Sequence, residues 1–261
     1  MRNRSLGILA PVILAVLVGC DAGDDAPEPV EITLLVAYSP SVASAAGDIA
    51  SFLQGALHET NAVYANSKVD LRLELAHLMP VDYEATERLQ DLERLMRPND
   101  GYLDEIHAAR DDHEADIGVL LLAEPSSTIN GAVMADERHA FVVVFWESMG
   151  TPSYALAHEI GHLHGARHSP ETDPRIEPFA YGHGFRNDSI KTIMSSGQLE
   201  IVPYFSSPSL MHEGVVLGDS SLRDVARVLR ETAAYISNFR GPKTETDFVP
   251  PGTWPTIPLE D

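Results

Sequence analysis

Apolar and polar positions between residues 31 and 146 follow the patterns that are typical of β-strands. Residues 69–78 alternate leucines with charged side chains, which predicts a half-solvated strand. Residues 140–146 are apolar throughout, which predicts a central strand buried on both faces. The complete set of predicted strands covers residues 31–38, 69–78, 117–123, 129–135 and 140–146.

Helical periodicity occupies the intervals between these strands. Residues 41–66 form one long, Ala-rich segment with apolar residues on one side, which predicts a helix. Residues 84–96 predict a charged amphipathic helix that stops near Pro98, and residues 103–110 predict a shorter helix. The first part of the chain is therefore a mixture of strands and helices.

Two more helices are predicted after the strands. Thr151 and Pro152 supply an N-cap and a first-turn proline for a helix over residues 152–164. Ser221 and Asp224 form a capping-box-like pair that opens the last helix. The apolar side chains on one face of this last helix are Val225, Val228, Leu229, Ile236 and Phe239.

The start of the chain has the features of an export signal. Arginines precede an apolar run over residues 6–18, which is too short to cross about 30 Å of hydrocarbon. Residues 17–20, Leu-Val-Gly-Cys, resemble the lipobox of bacterial lipoproteins, and Cys20 is the only cysteine. We expect residues 1–19 to be a signal peptide and Cys20 to carry a lipid anchor at a periplasmic or cell-surface membrane; the alternative is plain secretion.

Composition then divides the remainder of the chain. We expect residues 20–30 to be the acylated cysteine and a flexible acidic linker, residues 31–240 to be one folded domain, and residues 241–261 to be a disordered Pro-rich tail. The chain has 39 acidic and 18 basic residues, for a net charge of −21. This excess disfavours nucleic acid and anionic lipid surfaces as partners, so we expect membrane contact only through the anchor.

Residues 158–168 read H-E-x-x-H-x-x-G-x-x-H and carry the candidate chemistry. His158 and His162 lie four residues apart, so on a helix both rings reach one metal ion. Gly165 permits the sharp turn that brings His168 back as third ligand. Glu159 is displaced from the metal axis, which suits a base that polarises metal-bound water.

Three protein ligands leave one position of a tetrahedral Zn²⁺ open to water, which is typical of a catalytic site. His164 lies off the face of the ligands, and we expect it to be an exposed or otherwise satisfied histidine. A non-haem iron site fits less well, because it needs two histidines and a carboxylate as ligands. We therefore expect one catalytic Zn²⁺, and the sequence does not indicate a structural Ca²⁺.

With this motif the chain resembles the metzincin zinc metallopeptidases, and residues 192–195, Thr-Ile-Met-Ser, look like the Met-turn of that clan with Met194 beneath the ligands. Residues 180–185, 203–208 and 236–240 look like the bacterial peptidyl-Asp metallopeptidases and their reprolysin-like relatives. The resemblance implies an α+β fold. Its upper lobe, residues 31–165, would hold a twisted, mixed five-stranded sheet with helices, and its smaller lower lobe, residues 166–240, would be rich in loops and end in a helix.

The resemblance also implies where a peptide would bind. The strand that contains Ile129, Gly131 and Ala132 would be the antiparallel edge above the cleft, to which an extended peptide could add. Arg186 and Lys191 are the candidate cations for an acidic substrate residue, and Arg167 and Arg175 also lie near the motif. We expect each of these four to be solvated unless it binds substrate.

Two positions depart from the pattern of the family. Asn130 replaces a cysteine that relatives often carry before the glycine of the edge strand, so a disulfide near the cleft is absent. Ser196 stands where some metzincins have a tyrosine, two residues after the Met, so a tyrosine switch is not expected.

The sequence thus predicts a zinc endopeptidase that acts on protein or peptide substrates, with Glu159 as general base and a preference for acidic residues at the cleavage site. We expect a monomer. The alternative from a different class is a cell-surface zinc-binding or adhesion module without peptidase activity. The intact base at residue 159 disfavours this alternative, since an inactive descendant has no chemical need for it.

Overall fold

A five-stranded sheet organises the fold in the computed structural model, which describes residues 28–123, 132–134 and 138–241. The strands are β1 (Val30–Tyr38), β2 (Leu71–Pro80), β3 (Ile117–Leu122), β4 (Ala132–Met134) and β5 (Phe141–Phe145), in the order β2-β1-β3-β5-β4. All neighbouring pairs are parallel except β4 and β5, which are antiparallel. The mixed sheet and the antiparallel edge strand agree with the sequence prediction.

The position of β5 corrects one expectation. Its five residues are fully buried, as the apolar run predicted, but the centre of the sheet is β3, whose six residues are also buried. A strand needs apolar side chains on both faces wherever helices cover both faces, and this holds for every interior strand of such a sheet. The apolar run therefore identified an interior strand rather than the central one.

Six helices surround the sheet in the described residues: α1 (Pro40–Ala46), α2 (Ile49–Asn66), α3 (Arg88–Met96), α4 (Asp104–Asp112), α5 (Ala155–Leu163) and α6 (Val225–Ile236). The single helix expected over 41–66 is two helices, because Gly47 has a φ of 67° and Asp48 caps α2 through the Ser51 amide. None of the described helices is long and apolar enough to span a bilayer.

The start of α5 also differs from the prediction. Tyr154 has a left-handed φ of 53°, so the helix begins at residue 155 instead of 152. The Thr151 side chain does not cap this helix. It donates a 2.6 Å hydrogen bond to Glu59 of α2, which also accepts the Thr151 amide at 2.7 Å.

Alternate residues of β1 enter two separate apolar cores. Ile32, Leu34 and Val36 face the core that contains α2, α5 and α6, whereas Leu35 and Ala37 face the core that contains α3 and α4. The first of these cores continues beyond α5 into the chain after residue 166, where Ile193, Met194 and Phe205 join it. The sheet and the segment that follows the metal motif therefore share one apolar interior.

Residues 166–224 contain little regular structure. Two short pairs are present, β6 (Ile190–Lys191) parallel to β7 (Glu200–Ile201), and β8 (Met211–His212) antiparallel to β9 (Val215–Val216). A small cluster of Val202, Leu210 and Leu217 holds these pairs together. Helix α6 then spans Val225–Ile236, and its N-cap is Asp224, whose side chain accepts from the Arg227 amide. The predicted capping box is wrong, because the Ser221 hydroxyl donates to Asp219 and does not cap the helix.

Two glycines give a stability test of this packing. Gly118 of β3 lies against the buried Phe141 ring, and a Cβ at this position would be 2.5 Å from the ring. We expect Gly118→Ala to lower the free energy of unfolding by about 1–3 kcal/mol, because the ring cannot move away without disturbing the core. The measurement is urea denaturation followed by circular dichroism.

Gly55→Ala is the matched control for the same substitution. Gly55 is an exposed residue within α2, and a Cβ there meets nothing within 4 Å. We expect Gly55→Ala to raise the free energy of unfolding by roughly 0.5–1 kcal/mol, since alanine has the higher helix propensity. Equal effects of the two substitutions would contradict the packing described for β3 and β5.

Candidate metal centre

Helix α5 and the turn after it bring three histidines together. His158 and His162 are one helical turn apart, and Gly165, with a φ of 90°, ends the helix in a Schellman motif. In this motif the Gly165 amide donates to the His162 carbonyl and the Ala166 amide donates to the Gly161 carbonyl. The turn returns His168 to the face of α5, as the spacing predicted.

The three rings present the same atom to one point. The Nε2 atoms of His158, His162 and His168 are 3.1, 3.1 and 3.2 Å apart. Nitrogens bound to a tetrahedral ion at about 2.0 to 2.1 Å would be roughly 3.3 to 3.4 Å apart, which is close to the observed triangle. Among the described residues, these three form the only cluster of His, Cys, Asp or Glu that could hold a metal ion.

Hydrogen bonds at the opposite side of two rings fix their tautomers. His158 Nδ1 lies 2.7 Å from the Ile193 carbonyl oxygen, and His162 Nδ1 lies 2.8 Å from the Ala166 carbonyl oxygen. A carbonyl only accepts, so each Nδ1 carries the proton and each Nε2 presents a lone pair. Neighbouring lone pairs repel one another, and a cation at their centre removes the repulsion. The arrangement therefore fits a zinc ion.

Burial keeps these rings neutral. Burial lowers the pKa of His158 to about 3, with further contributions from His168 and Lys191. The pKa of His162 also lies well below its usual range, because of burial first and then of the other two rings. Neutral imidazole is the form that binds metals, so His158 and His162 are already in their binding form at neutral pH.

Two further residues that the sequence indicated, Glu159 and Met194, are buried on α5 or against it. Glu159 follows His158 on α5 and is only 4% exposed. Met194 is fully buried and packs against α5 at Gly161, where any Cβ would collide with the Met194 sulfur. Met194 follows directly after Ile193, the residue whose carbonyl orients His158. The turn at residues 192–195 thus contacts α5 through both its backbone and its methionine.

His183 is a supporting residue that sequence reasoning missed. Its buried ring donates from Nδ1 to the His168 carbonyl at 2.7 Å, which fixes the main chain of the third ligand. The residues on both sides of His183 pair with Arg167, since Arg167 donates to Gly182 and Gly184 donates to Arg167. The sequence signal was the resemblance of residues 180–185 to the family, which by itself assigns no role to His183.

Arg167 is not the solvated cation that was expected. It is 2% exposed and forms a 3.1 Å ion pair with Asp173, which also binds Arg175 at 2.8 Å. Burial alone would raise the pKa of Asp173, but the hydrogen bonds from Arg175 and Arg167 lower it to about 2. Both arginines therefore bind Asp173 in the loop after His168, and we exclude them as substrate-binding residues.

His164 lies outside the metal cluster, as predicted, but it is fully buried rather than exposed. Its Nδ1 bonds to Thr232 of α6, whose hydroxyl donates to the Val228 carbonyl. Burial lowers the pKa of His164 to about 3, so the ring is neutral. His164 therefore ties the end of α5 to α6.

The remaining candidates are the residues predicted to bind substrate, and the structure describes only some of them. Arg186 and Lys191 both lie beside the loop that follows Met194, where they bond to the carbonyls of Ser196 and Gly197. Ala132 begins the antiparallel edge strand β4, opposite Val143. Ile129, Asn130 and Gly131 lie outside the described residues, so their predicted part in substrate binding stays a prediction.

His183 gives a direct test of the metal centre. We expect His183→Ala to weaken zinc binding about 10-fold, because the His168 main chain loses its anchor. We expect His183→Asn to retain most of the affinity, since its amide can donate to the same carbonyl. The measurement is zinc competition with a chromophoric chelator, with the exposed His58→Ala as control. Equal affinity in all four proteins would exclude a supporting role for His183.

The sequence is similar to known bacterial metallopeptidases. It is 38% identical over 225 residues to a peptidyl-Asp metalloendopeptidase of Xanthomonas campestris pv. campestris, which covers 84% of this chain and 54% of the relative. A relative of the same name from Stenotrophomonas maltophilia is 38% identical over 217 residues, with 79% and 52% covered. The chain thus spans about half the length of these curated relatives.

The fold has counterparts among solved structures. A chain from a structure described as a chaperone-substrate complex matches with a TM-score of 0.65 and 21% identity, over 82% of this chain and 36% of that one. This match concerns the fold alone. Residues 28–206, which include the sheet, α5 and the Met194 turn, match metallo-peptidase family M12. The chain belongs to this family.

Proposed function

We propose that the chain is a zinc-dependent endopeptidase that hydrolyses peptide bonds in protein or peptide substrates. The observation that carries this proposal is the convergence of three histidine Nε2 atoms, two of them from the helix that also contains the buried Glu159. Membership of family M12 and the names of the relatives support the same reaction. A preference for acidic residues at the cleavage site is part of the proposal, because the relatives are named peptidyl-Asp metalloendopeptidases.

The residues divide the reaction between them. A zinc ion bound to the three histidines would supply Lewis acidity and lower the pKa of a bound water to about 7. Glu159 would accept the proton of the attacking water and deliver it to the leaving amine. The Ile193 and Ala166 carbonyls hold His158 and His162 in the required tautomer throughout. Such a reaction needs no protein nucleophile.

The role of Glu159 is tested by Glu159→Gln, which keeps the shape of the side chain and removes its basicity. We expect kcat to fall about 10²- to 10⁴-fold on an unstructured protein such as casein, while the zinc content stays at one ion per chain. Zinc is measured by atomic emission and turnover by release of peptides. A variant with zinc and near-normal kcat would show that another group accepts the proton.

A chelator separates the enzyme from the alternative of a zinc-binding adhesion module. Activity of the untreated protein should disappear with 1,10-phenanthroline and return with added Zn²⁺. The variant His58→Ala, at an exposed helix position, is the matched control and should behave like the untreated protein. Stoichiometric zinc without any cleavage of denatured proteins would favour the adhesion module.

We also propose an exported, monomeric domain that is anchored through a lipid on Cys20. The support is the Leu-Val-Gly-Cys sequence after a short apolar run, together with the absence of any other cysteine from the chain. In this proposal residues 1–19 are removed, residues 20–30 act as a spacer, and residues 241–261 form a separate tail. The catalytic domain, residues 31–240, would consist of an upper lobe to residue 165 and a lower lobe after it.

Cys20→Ser tests the anchor. In a bacterial host labelled with an alkyne fatty acid, the unchanged chain should take up the label and enter the detergent phase of a Triton X-114 partition. The Cys20→Ser protein should do neither, because the lipid is attached to the cysteine sulfur through a thioether. The variant Ser5→Ala, in the signal region, serves as control. Unlabelled wild-type protein in the medium would instead support plain secretion.

A further inference from the structure

Arg186 and Lys191 form a pair of neighbouring cations beside the metal centre. Their backbones form an antiparallel bridge, so the two side chains leave the chain close together. Lys191 precedes by two residues Ile193, whose carbonyl accepts from His158, and both cations bond to the loop that follows Met194. The pair is therefore held by the same turn that orients a metal ligand.

Both cations bond to main-chain carbonyls rather than to carboxylates in the part of the chain that the structure describes. Lys191 Nζ donates to the Gly197 carbonyl, and Arg186 Nη1 donates to the Ser196 carbonyl at 3.3 Å. In the described part of the chain, neither forms an ion pair with a carboxylate. With 39 acidic residues for 18 basic ones, carboxylate partners are plentiful, and many other arginines form ion pairs. The arginines in ion pairs are Arg72, Arg97, Arg167, Arg175, Arg223, Arg227 and Arg240.

This arrangement is unfavourable for the protein alone. Burial is the largest cause of the lowered pKa of Lys191, and repulsion from Arg186 adds to it. A partly buried cation beside a second cation destabilises the fold unless a negative charge arrives to offset both. Unfavourable charges of this kind, held at a fixed place, are typical of ligand sites.

The loop at Ser196 and Gly197 is shaped to keep the cations in place. Gly197 has a φ of 96°, and a Cβ there would lie 3.1 Å from Arg186 Nη1. The loop follows directly after Met194, whose preceding residue orients His158. A carboxylate held by the pair would therefore belong to a residue close to the bond that is cleaved.

We infer that Lys191, supported by Arg186, binds the side-chain carboxylate of an acidic substrate residue next to the scissile bond. This inference rests on the proposed peptidase function and names the residues that set its preference. Arg167 and Arg175, the other cations near the motif in sequence, are excluded because Asp173 binds both. The pair would attract a carboxylate by its charge and not the neutral amide of the same shape. Substrates with aspartate and with asparagine at this position should therefore differ in kcat/KM.

Two matched peptides test the inference, one with Asp and one with Asn at the cleavage site. We expect the zinc-loaded wild type to cleave the Asp peptide with the higher kcat/KM. Lys191→Met should lower kcat/KM for the Asp peptide about 10- to 100-fold and change that for the Asn peptide by less than about threefold, as for a charge-assisted hydrogen bond. Arg186→Met should reduce the same preference by a smaller factor. Arg97→Met, an exposed cation distant in sequence, is the control.

Charge reversal and stability add two independent readouts. Lys191→Glu should favour a peptide with Lys at the same position over the Asp peptide. The thermal midpoint of Lys191→Met should be unchanged or higher, because a partly buried charge beside a second cation has been removed. A fall in kcat/KM of equal size for both peptides, or a lower midpoint with unchanged preference, would overturn the inference and leave the peptidase proposal intact.

Binding to Glu159→Gln separates the two proposals further. In this variant the Asp peptide should bind more tightly than the Asn peptide by calorimetry, and the added Lys191→Met change should remove the difference. If wild type cleaves neither peptide but this binding difference persists, the peptidase proposal fails and the carboxylate subsite stands. Equal binding of both peptides to Glu159→Gln overturns the subsite.

Discussion

Convergence of three imidazole nitrogens on one point is the constraint on which the rest of this structure depends. The Nε2 atoms of His158, His162 and His168 lie 3.1–3.2 Å apart, a separation that suits one shared metal ion. The fold must hold them in this arrangement before an ion arrives. It does so with main-chain carbonyls at residues 193 and 166, whose positions are set by backbone hydrogen bonds rather than by flexible side chains.

The apolar core supplies the rigidity that this arrangement requires. Helix α5 lies in the same core as β1, and Met194 fills the space that Gly161 leaves on the helix. The Met194 turn therefore cannot shift without disturbing both its contact with Gly161 and the carbonyl that orients His158. Close packing transmits displacement because interiors contain few voids. The third ligand is fixed separately, through the loop that contains His183 and the Arg167–Asp173 ion pair.

Local sequence signals predicted the features that depend on neighbouring residues. The five strands, the Gly165 turn and the spacing of the metal motif all depend on periodicity or on the chemistry of one residue. Features set by distant contacts were missed. The start of α5 depends on a left-handed Tyr154 and on Glu59 of another helix, and the burial of Arg167 depends on Asp173. No local pattern distinguishes a buried arginine from a solvated one.

The charge of the whole chain and the charge near the metal centre have opposite signs. A net charge of −21 would repel acidic peptides if it acted uniformly, but at physiological salt a charge is screened over about 8 Å. Most surface carboxylates would therefore have little electrostatic effect on a peptide bound at the metal centre. Lys191 and Arg186 bond to main-chain carbonyls of the loop after Met194, and no carboxylate of the described residues pairs with either. In the proposed subsite, local geometry rather than net charge would therefore decide which substrate side chain is accepted.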